Sequence, residues 1–167
     1  KDGKIYKGTD VVPWSGRSGT SYSQMEIIEG RKLVAHESVF VRFPILDRKN
    51  EYLLVWTTTP WTIPANKALA YNEALDYLII ELSDEGDFKN KKIVIAEALL
   101  DSVIKDCSIK NYKEIKKFKG KEFKDTVCSH PFLELGYDYE IPMLEARFVT
   151  TEQGTGIVHC APSHGPD

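Results

Sequence analysis

Residues 55–66 read Val55-Trp56-Thr57-Thr58-Thr59-Pro60-Trp61-Thr62-Ile63-Pro64-Ala65-Asn66, and the rest of the chain is organised around them. The residues just before, from 51 to 55, have the composition of a buried strand. Pro60 has no N–H for a sheet hydrogen bond and disfavours helix at the preceding residue, so we expect the backbone to leave the sheet here. Three threonines therefore stand at a strand end, where their hydroxyls and backbone N–H groups could meet a ligand. An ordinary hairpin edge, with threonines present for their strand propensity, is the alternative.

Other segments also have strand character, with turn residues between them. These predicted strands are residues 39–45, 77–82, 92–96, 112–118, 122–127, 147–150 and 156–160. Residues 66–71 are expected to continue the loop that begins after Thr59. Leu99, Leu100, Val103 and Ile104 recur at helical spacing, which predicts one helix over 96–106. This pattern predicts a mainly β fold with helical additions (α+β) around a β-barrel-like core.

Composition bounds the class of protein. The 167 residues are 42% hydrophobic and 28% charged, which fits one soluble domain with a real core. We see no run of about 18 apolar residues and no apolar signal segment, so we expect no membrane contact and a cytoplasmic protein. Three widely spaced cysteines, without a Cys-x-x-Cys pair, favour free thiols in a reducing compartment. A net charge of −3 argues against a free-standing nucleic-acid binder, so an RNA partner would be touched only at its end.

The motif from Trp56 to Asn66 resembles the threonine-rich peptide in the editing domain of isoleucyl-tRNA synthetase. That domain is inserted in the catalytic core of the synthetases for isoleucine, leucine and valine. The leucine and valine members typically have Arg at the position of Thr59 and Glu at that of Trp61, so the resemblance is to the isoleucine branch. A second motif agrees with it: Gly154-Thr155-Gly156-Ile157-Val158-His159-Cys160-Ala161-Pro162-Ser163-His164-Gly165-Pro166-Asp167.

The resemblance implies a fold and an activity. The fold is a closed β-barrel editing domain, with residues 1–167 as a single domain excised from a larger synthetase and residues 1–30 as a connecting ribbon. The activity is hydrolysis of valine from mischarged valyl-tRNA(Ile), with valyl-adenylate as a further candidate substrate. A hydrophobic pocket gains only about 1–3 kcal/mol from one methylene, a limit already described for this synthetase family, so a second site must remove the errors.

The implied partners are the 3′ end of tRNA(Ile) carrying valine and the catalytic core of the parent synthetase. The chain shows neither His-x-Gly-His nor Lys-Met-Ser-Lys-Ser, the nucleotide-binding signatures of that core, so it is not expected to activate amino acids. ATP and magnesium would serve the full-length enzyme, and this domain is expected to need no cofactor and to be a monomer. A β-barrel module that binds a tRNA end or a protein without catalysis is the alternative.

An aminoacyl ester is already activated, so its hydrolysis requires a held water, a donor for the developing oxyanion and an anchor for the α-ammonium group. The resemblance assigns substrate and water positioning to Thr57, Thr58 and Thr59. We expect no threonine nucleophile, because no base lies nearby in sequence. Neither is there a Gly-x-Ser-x-Gly elbow of a serine hydrolase.

The remaining candidates concern substrate binding. The resemblance places His159 in the wall of a valine-sized pocket, although a lone histidine on an apolar strand also fits a core residue. Trp56 and Trp61 are candidate walls, and Asn66 is expected to brace the loop. The family holds the substrate ammonium with an acid just past position 167, and Asp167 is the candidate substitute. His164 in the same loop is expected to face solvent.

Ser15 and Ser18 bear on a metal site. The similar segment of related synthetases often reads Trp-Cys-x-x-Cys, which is half of a zinc knuckle. A serine hydroxyl is a poor substitute for a thiolate ligand of zinc. The sequence therefore predicts a polar turn here and no metal.

Overall fold

The computed structural model describes residues 3–83 and 89–165. The chain divides into two compact units, Lys1–His36 and Glu37–Asp167. In the first unit, strands β1 (Trp14–Ser15) and β2 (Thr20–Ser21) pair antiparallel. The hydroxyls of Ser15 and Ser18 lie 3.0 Å apart in the turn between them. Helix α1 (Gln24–Gly30) begins with a capping box, in which Ser23 and Glu26 each accept the other's backbone N–H.

The second unit contains nine strands among its described residues. They are β3 (Val39–Pro44), β4 (Glu51–Thr57), β5 (Ala68–Tyr71), β6 (Asp76–Leu82), β7 (Lys92–Ala96), β8 (Tyr112–Lys119), β9 (Val127–Ser129), β10 (Glu140–Glu145) and β11 (Val158–Cys160). Five of them form one sheet in the order β3-β4-β7-β6-β8, with β4 and β7 parallel and the other neighbours antiparallel. Central strands β4, β7 and β6 are nearly continuous apolar runs, as expected where both faces of a sheet are covered.

The other four strands form a second sheet in the order β11-β5-β10-β9, with β5 and β10 parallel. An antiparallel bridge between Ile45 and Cys128 links the ends of the two sheets. Ile45, Cys128 and Leu69 belong to the same buried apolar cluster as the five-stranded sheet. The two sheets therefore share one core.

The mainly β fold with a few helices is confirmed, but the predicted closed barrel is wrong for the residues that the structure describes. No ladder there joins β8 to β11, so each sheet stays open at that edge. Strand β8 is almost wholly exposed, and its lysines are typical of an edge that must not pair with another chain.

Several local predictions are confirmed and three are wrong. The strands predicted at 39–45, 51–55, 77–82, 92–96 and 112–118 are present, and the predicted helix is a 3-10 turn (Glu97–Leu99) followed by α2 (Leu100–Asp106). Within the predicted loop at 66–71, residues 68–71 form strand β5, because Leu69 is buried between the strands on either side. Residues 147–150 contain a turn at 147–148 and no strand, and the strand lies before them at β10. The strand expected at 122–127 is replaced by a 3-10 turn (Gly120–Phe123) and β9.

No helix among the described residues is both long enough and apolar enough to span the hydrocarbon layer of a bilayer.

Candidate functional site

A cavity of about 340 Å³ lies where β4 ends and the chain turns away from the sheet. Thr57, Thr58 and Thr59 line one side of it, and residues 153–161 line the other. Thr59, the second residue past the strand end, has φ −128° and ψ 64°, and a 3-10 helix (Pro60–Ala65) follows with Pro60 at its first position. The predicted departure of the backbone from the sheet at Pro60 is therefore confirmed. Both halves of the sequence motif pair meet in this cavity.

The three threonines differ in their surroundings. Thr57 is 8% exposed, and its hydroxyl accepts the backbone N–H of Thr59 at 3.1 Å. The Thr57 and Thr59 hydroxyl oxygens lie 3.4 Å apart. Thr58 is exposed, and its side chain makes no hydrogen bond to any described residue. Thr57 thus holds the turn, while the Thr58 hydroxyl is available to a molecule in the cavity.

His159, on β11, faces this turn from the second sheet. Its Nε2 lies 2.9 Å from Oγ1 of Thr62, and its Nδ1 lies 2.6 Å from Nδ2 of Asn66. Thr62 in turn donates its hydroxyl proton to the carbonyl oxygen of Thr59 at 2.8 Å. Burial lowers the pKa of His159 below its ordinary value, and the nearby His130 and His164 act in the same direction. The ring is therefore neutral at neutral pH.

Asn66 is fully buried and does not line the cavity. Its amide nitrogen donates to the carbonyl oxygen of Ala68 at 3.0 Å as well as to His159. The backbone carbonyl of Asn66 accepts the hydroxyl proton of Tyr139 at 2.9 Å. Asn66 therefore contacts the site through His159.

His130 contacts the 3-10 helix Pro60–Ala65 through the Ile63 carbonyl. It is 1% exposed, and its Nδ1 accepts the backbone N–H of Phe132 at 3.1 Å. Its Nε2 therefore carries the proton and donates to the carbonyl of Ile63 at 3.0 Å. The ring stacks on Tyr137 with centroids 4.7 Å apart. Sequence analysis missed Thr62, His130 and Tyr139, and only the Thr-x-x-Thr spacing of Thr59 and Thr62 could have suggested one of them.

Turn residues 154–157 form the opposite wall. Gly154 and Gly156 have φ +83° and +74°, a left-handed conformation that glycine adopts without strain. The hydroxyl of Tyr77 donates to the carbonyl of Gly156 at 2.8 Å, and the backbone N–H of Ala96 donates to that of Thr155, also at 2.8 Å. Two strands of the five-stranded sheet thus hold this wall.

The structure brings some of the predicted wall residues together and not others. Trp56 is half-buried, lines the cavity and lies against Gly154. Trp61 is 70% exposed and does not line the cavity. His164 is exposed, as predicted, and lies at the cavity edge. Asp167 lies outside the described residues, so its predicted role stays a prediction.

No group of three or more His, Cys, Asp or Glu side chains among residues 3–83 and 89–165 is placed to hold a metal ion.

Comparison with known proteins gives the family. No family model matches the sequence. The isoleucine–tRNA ligase of Pelagibacter ubique (strain HTCC1062) is 68% identical over 174 residues, which cover 100% of this chain and 19% of that protein. The isoleucine–tRNA ligase of Bacillus mycoides (strain KBAB4) is 40% identical over 172 residues, covering 100% of this chain and 17% of that protein.

Two solved structures share the fold. The editing domain of the P. knowlesi cytosolic leucyl-tRNA synthetase has a TM-score of 0.58 at 13% identity, over 75% of this chain and 58% of that one. The corresponding P. falciparum domain has a TM-score of 0.57 at 12% identity, over 75% and 61%. The resemblance to the isoleucine branch is confirmed by the sequence relatives. The chain belongs to the isoleucine–tRNA ligase family, spans about a fifth of the length of the relatives that it matches (19% and 17%), and has the fold of a synthetase editing domain.

Proposed function

We propose that this domain is the hydrolytic editing site of an isoleucyl-tRNA synthetase and removes valine from mischarged valyl-tRNA(Ile). The supporting observation is the cavity that joins the hydroxyl-rich end of β4 to the imidazole of His159. Its volume of about 340 Å³ is at the small end of the range for small-molecule sites, as suits an aminoacyl group on a terminal ribose. The 3′ end of tRNA(Ile) and the catalytic core of the parent enzyme are the proposed partners.

The chemistry follows from what each wall offers. The ester is already activated, so the site has to hold a water molecule and stabilise the oxyanion that forms when the water attacks. The exposed Thr58 hydroxyl can orient the water or donate to the oxyanion, because no described residue competes for it. Thr57 is committed to the turn, and the Thr59 hydroxyl lies 3.4 Å from it. We assign the direct role to Thr58 and the supporting role to Thr57.

Selectivity for valine is a matter of size. Isoleucine carries one methylene more, and the half-buried His159 ring, held from two sides, resists displacement by it. Valyl-adenylate carries the same acyl group, so it is a second substrate that this cavity would accept. The ammonium anchor is an acid at or just beyond Asp167.

The test is deacylation of valyl-tRNA(Ile) and isoleucyl-tRNA(Ile) by this chain and by a chain extended past Asp167. We expect the extended chain to cleave the valyl ester selectively. Thr58→Ala should lower the rate by about 100-fold or more, as for loss of one oxyanion donor, and Thr58→Ser should retain most of it. His159→Ala should admit the isoleucyl ester.

Each result has a defined meaning. An active extended chain beside an inactive short one would support the acid beyond Asp167 as the anchor. If neither chain cleaves valyl-tRNA faster than buffer, the hydrolytic proposal is wrong for the domain alone. Binding of the tRNA end without cleavage would then be the function to measure.

A further inference from the structure

The side chains of Asn66, His159 and Thr62 form one chain of hydrogen bonds that is anchored on a backbone carbonyl at each end. At one end Asn66 Nδ2 is 3.0 Å from the Ala68 oxygen. At the other end Thr62 Oγ1 is 2.8 Å from the Thr59 oxygen. A carbonyl oxygen can only accept, so both anchors fix the direction of the bonds between them.

The proton positions follow from these anchors. The atom of Asn66 beside the Ala68 carbonyl must be its NH₂ group, and the same nitrogen lies 2.6 Å from Nδ1 of His159. An amide NH₂ only donates, so Nδ1 must be unprotonated and accept. The proton of the neutral ring is then on Nε2, which donates to Thr62 Oγ1 at 2.9 Å. The Thr62 hydroxyl can accept there because its own proton is given to Thr59.

The opposite arrangement is costly. Turning the Asn66 amide over would place its oxygen against the Ala68 carbonyl, acceptor against acceptor. A proton on Nδ1 would meet the Asn66 NH₂ group, donor against donor. Burial of the ring, and next to it the neighbouring His130 and His164, disfavour a positive charge on it. The present orientation prevails even though Asn66 Oδ1 is buried without a hydrogen-bond partner among the described residues.

We infer that Asn66 and Thr62 are positioning residues that hold His159 as the neutral Nε2–H tautomer, so that its ring is a fixed wall of the cavity. Both ring nitrogens are occupied by protein groups. His159 therefore does not act as the general base for the attacking water, although histidine is the commonest residue in that role. This inference rests on the proposed function for its catalytic meaning, but the tautomer itself can be measured without any substrate.

The first experiment is nitrogen-15 NMR of the histidine rings in this chain between about pH 5.5 and 8. The chain has four histidines, and His159 is assigned by its loss in His159→Gln. We expect a single tautomer with the proton on Nε2 and a titration below that of a free histidine. A proton on Nδ1, or a mixture of the two tautomers, would overturn the inference.

The second experiment changes the donor. Asn66→Asp keeps the size of the side chain but replaces the NH₂ group by an acceptor, so it should draw a proton to Nδ1 and raise the pH at which His159 titrates. An unchanged tautomer and titration in a folded variant would also overturn the inference. If that variant does not fold, the spectrum of the parent chain still decides.

Thr62 is tested by a matched pair in the deacylation assay. Thr62→Ser keeps the hydroxyl and should retain the preference for valyl over isoleucyl ester. Thr62→Val keeps the size and loses the hydroxyl, and should lower that preference by about tenfold, within the 10–200-fold that one methylene supplies. Equal preference in the two variants would contradict the role of Thr62. If the tautomer is as inferred but neither this chain nor the extended one hydrolyses valyl-tRNA(Ile), the proposed function is refuted for the domain alone and the tautomer assignment stays intact.

Discussion

Replacing Gly156 by alanine tests how firmly the 154–157 turn is held against the five-stranded sheet. Gly156 has φ +74°, and a Cβ built on it would lie 2.4 Å from Cβ of Ala96. Ala96 is completely buried on β7, the middle strand of the sheet, so it has no room to yield. The left-handed conformation costs a non-glycine residue roughly 1–2 kcal/mol, and overpacking a core adds about 1–3 kcal/mol. We expect Gly156→Ala to lower the free energy of unfolding by about 2–5 kcal/mol.

Two other glycines separate the conformational cost from the steric one. Gly136 has φ +93° and nothing within 4 Å of the added Cβ, so alanine there costs only the backbone term of about 1–2 kcal/mol. Gly154 has φ +83°, and its nearest neighbour is a ring carbon of Trp56 at 3.3 Å. That ring is half-buried and can shift by a few tenths of an ångström, so Gly154→Ala should cost slightly more than Gly136→Ala and less than Gly156→Ala.

The assay is urea unfolding followed by circular dichroism, with the free energy extrapolated at a common slope. A loss of about 2–5 kcal/mol is a large part of the 5–15 kcal/mol typical of a domain, so the midpoint should move clearly. If Gly156→Ala unfolds within about 0.5 kcal/mol of Gly136→Ala, which is the scatter of a neutral surface change, the turn is not fixed by Ala96. The 154–157 turn would then be more easily deformed than its contacts indicate.

Three further predictions concern the same wall and turn. Tyr77→Phe removes a buried hydroxyl that donates to one backbone carbonyl and accepts one N–H, so urea unfolding should show a loss of about 1–3 kcal/mol. Burial lowers the pKa of both His130 and His159 in the folded chain, so the unfolded chain binds more protons as the pH falls through the ordinary value of 6.5. The free energy of unfolding should therefore rise as the pH increases towards the ordinary value of about 6.5 and level off above it, and a flat profile would contradict the shifts. Thr58→Ala should slow deacylation without changing stability, whereas Thr57→Ala should cost about 0.5–1.5 kcal/mol in the unfolding assay through the lost bond to the turn.

The parts of the fold that sequence predicts correctly are those fixed by local physics. Proline cannot continue the ladder, so the exit of the chain at Pro60 follows from one residue. The apolar runs of β4, β6 and β7 are long enough to identify as strands alone. Strand β10 contains Pro142, which argues locally against a strand, and it forms because β5 and β9 pair with its two sides. That outcome is decided by tertiary structure.

In the candidate site too, some features follow from local sequence and others are decided by tertiary structure. The two motifs bring Thr57, Thr58 and His159 to one cavity. The hydrogen bonds that orient them join residues 97, 67 and 73 positions apart, from Thr62 to His159, from Ile63 to His130 and from Asn66 to Tyr139. No spacing rule reaches that far. Trp61 shows the converse, since its place in the motif suggested a wall, and the 3-10 helix turns its side chain to solvent.

The hydrogen bonds on the His159 ring can be compared with the selectivity that the proposed function requires. If the cavity rejects isoleucine as proposed, displacing its wall must cost more than one methylene gains by entering, which is about 1–3 kcal/mol. Each hydrogen bond on the His159 ring contributes a net of about 0.5–1.5 kcal/mol, so the bonds from Thr62 and Asn66 are together of the same size as the methylene term. One bond alone would fall at or below it. A ring held from one side would therefore move aside for the larger substrate more easily than a ring held from both sides. On the proposed function, selectivity for size depends on Thr62 and the buried Asn66 as well as on His159.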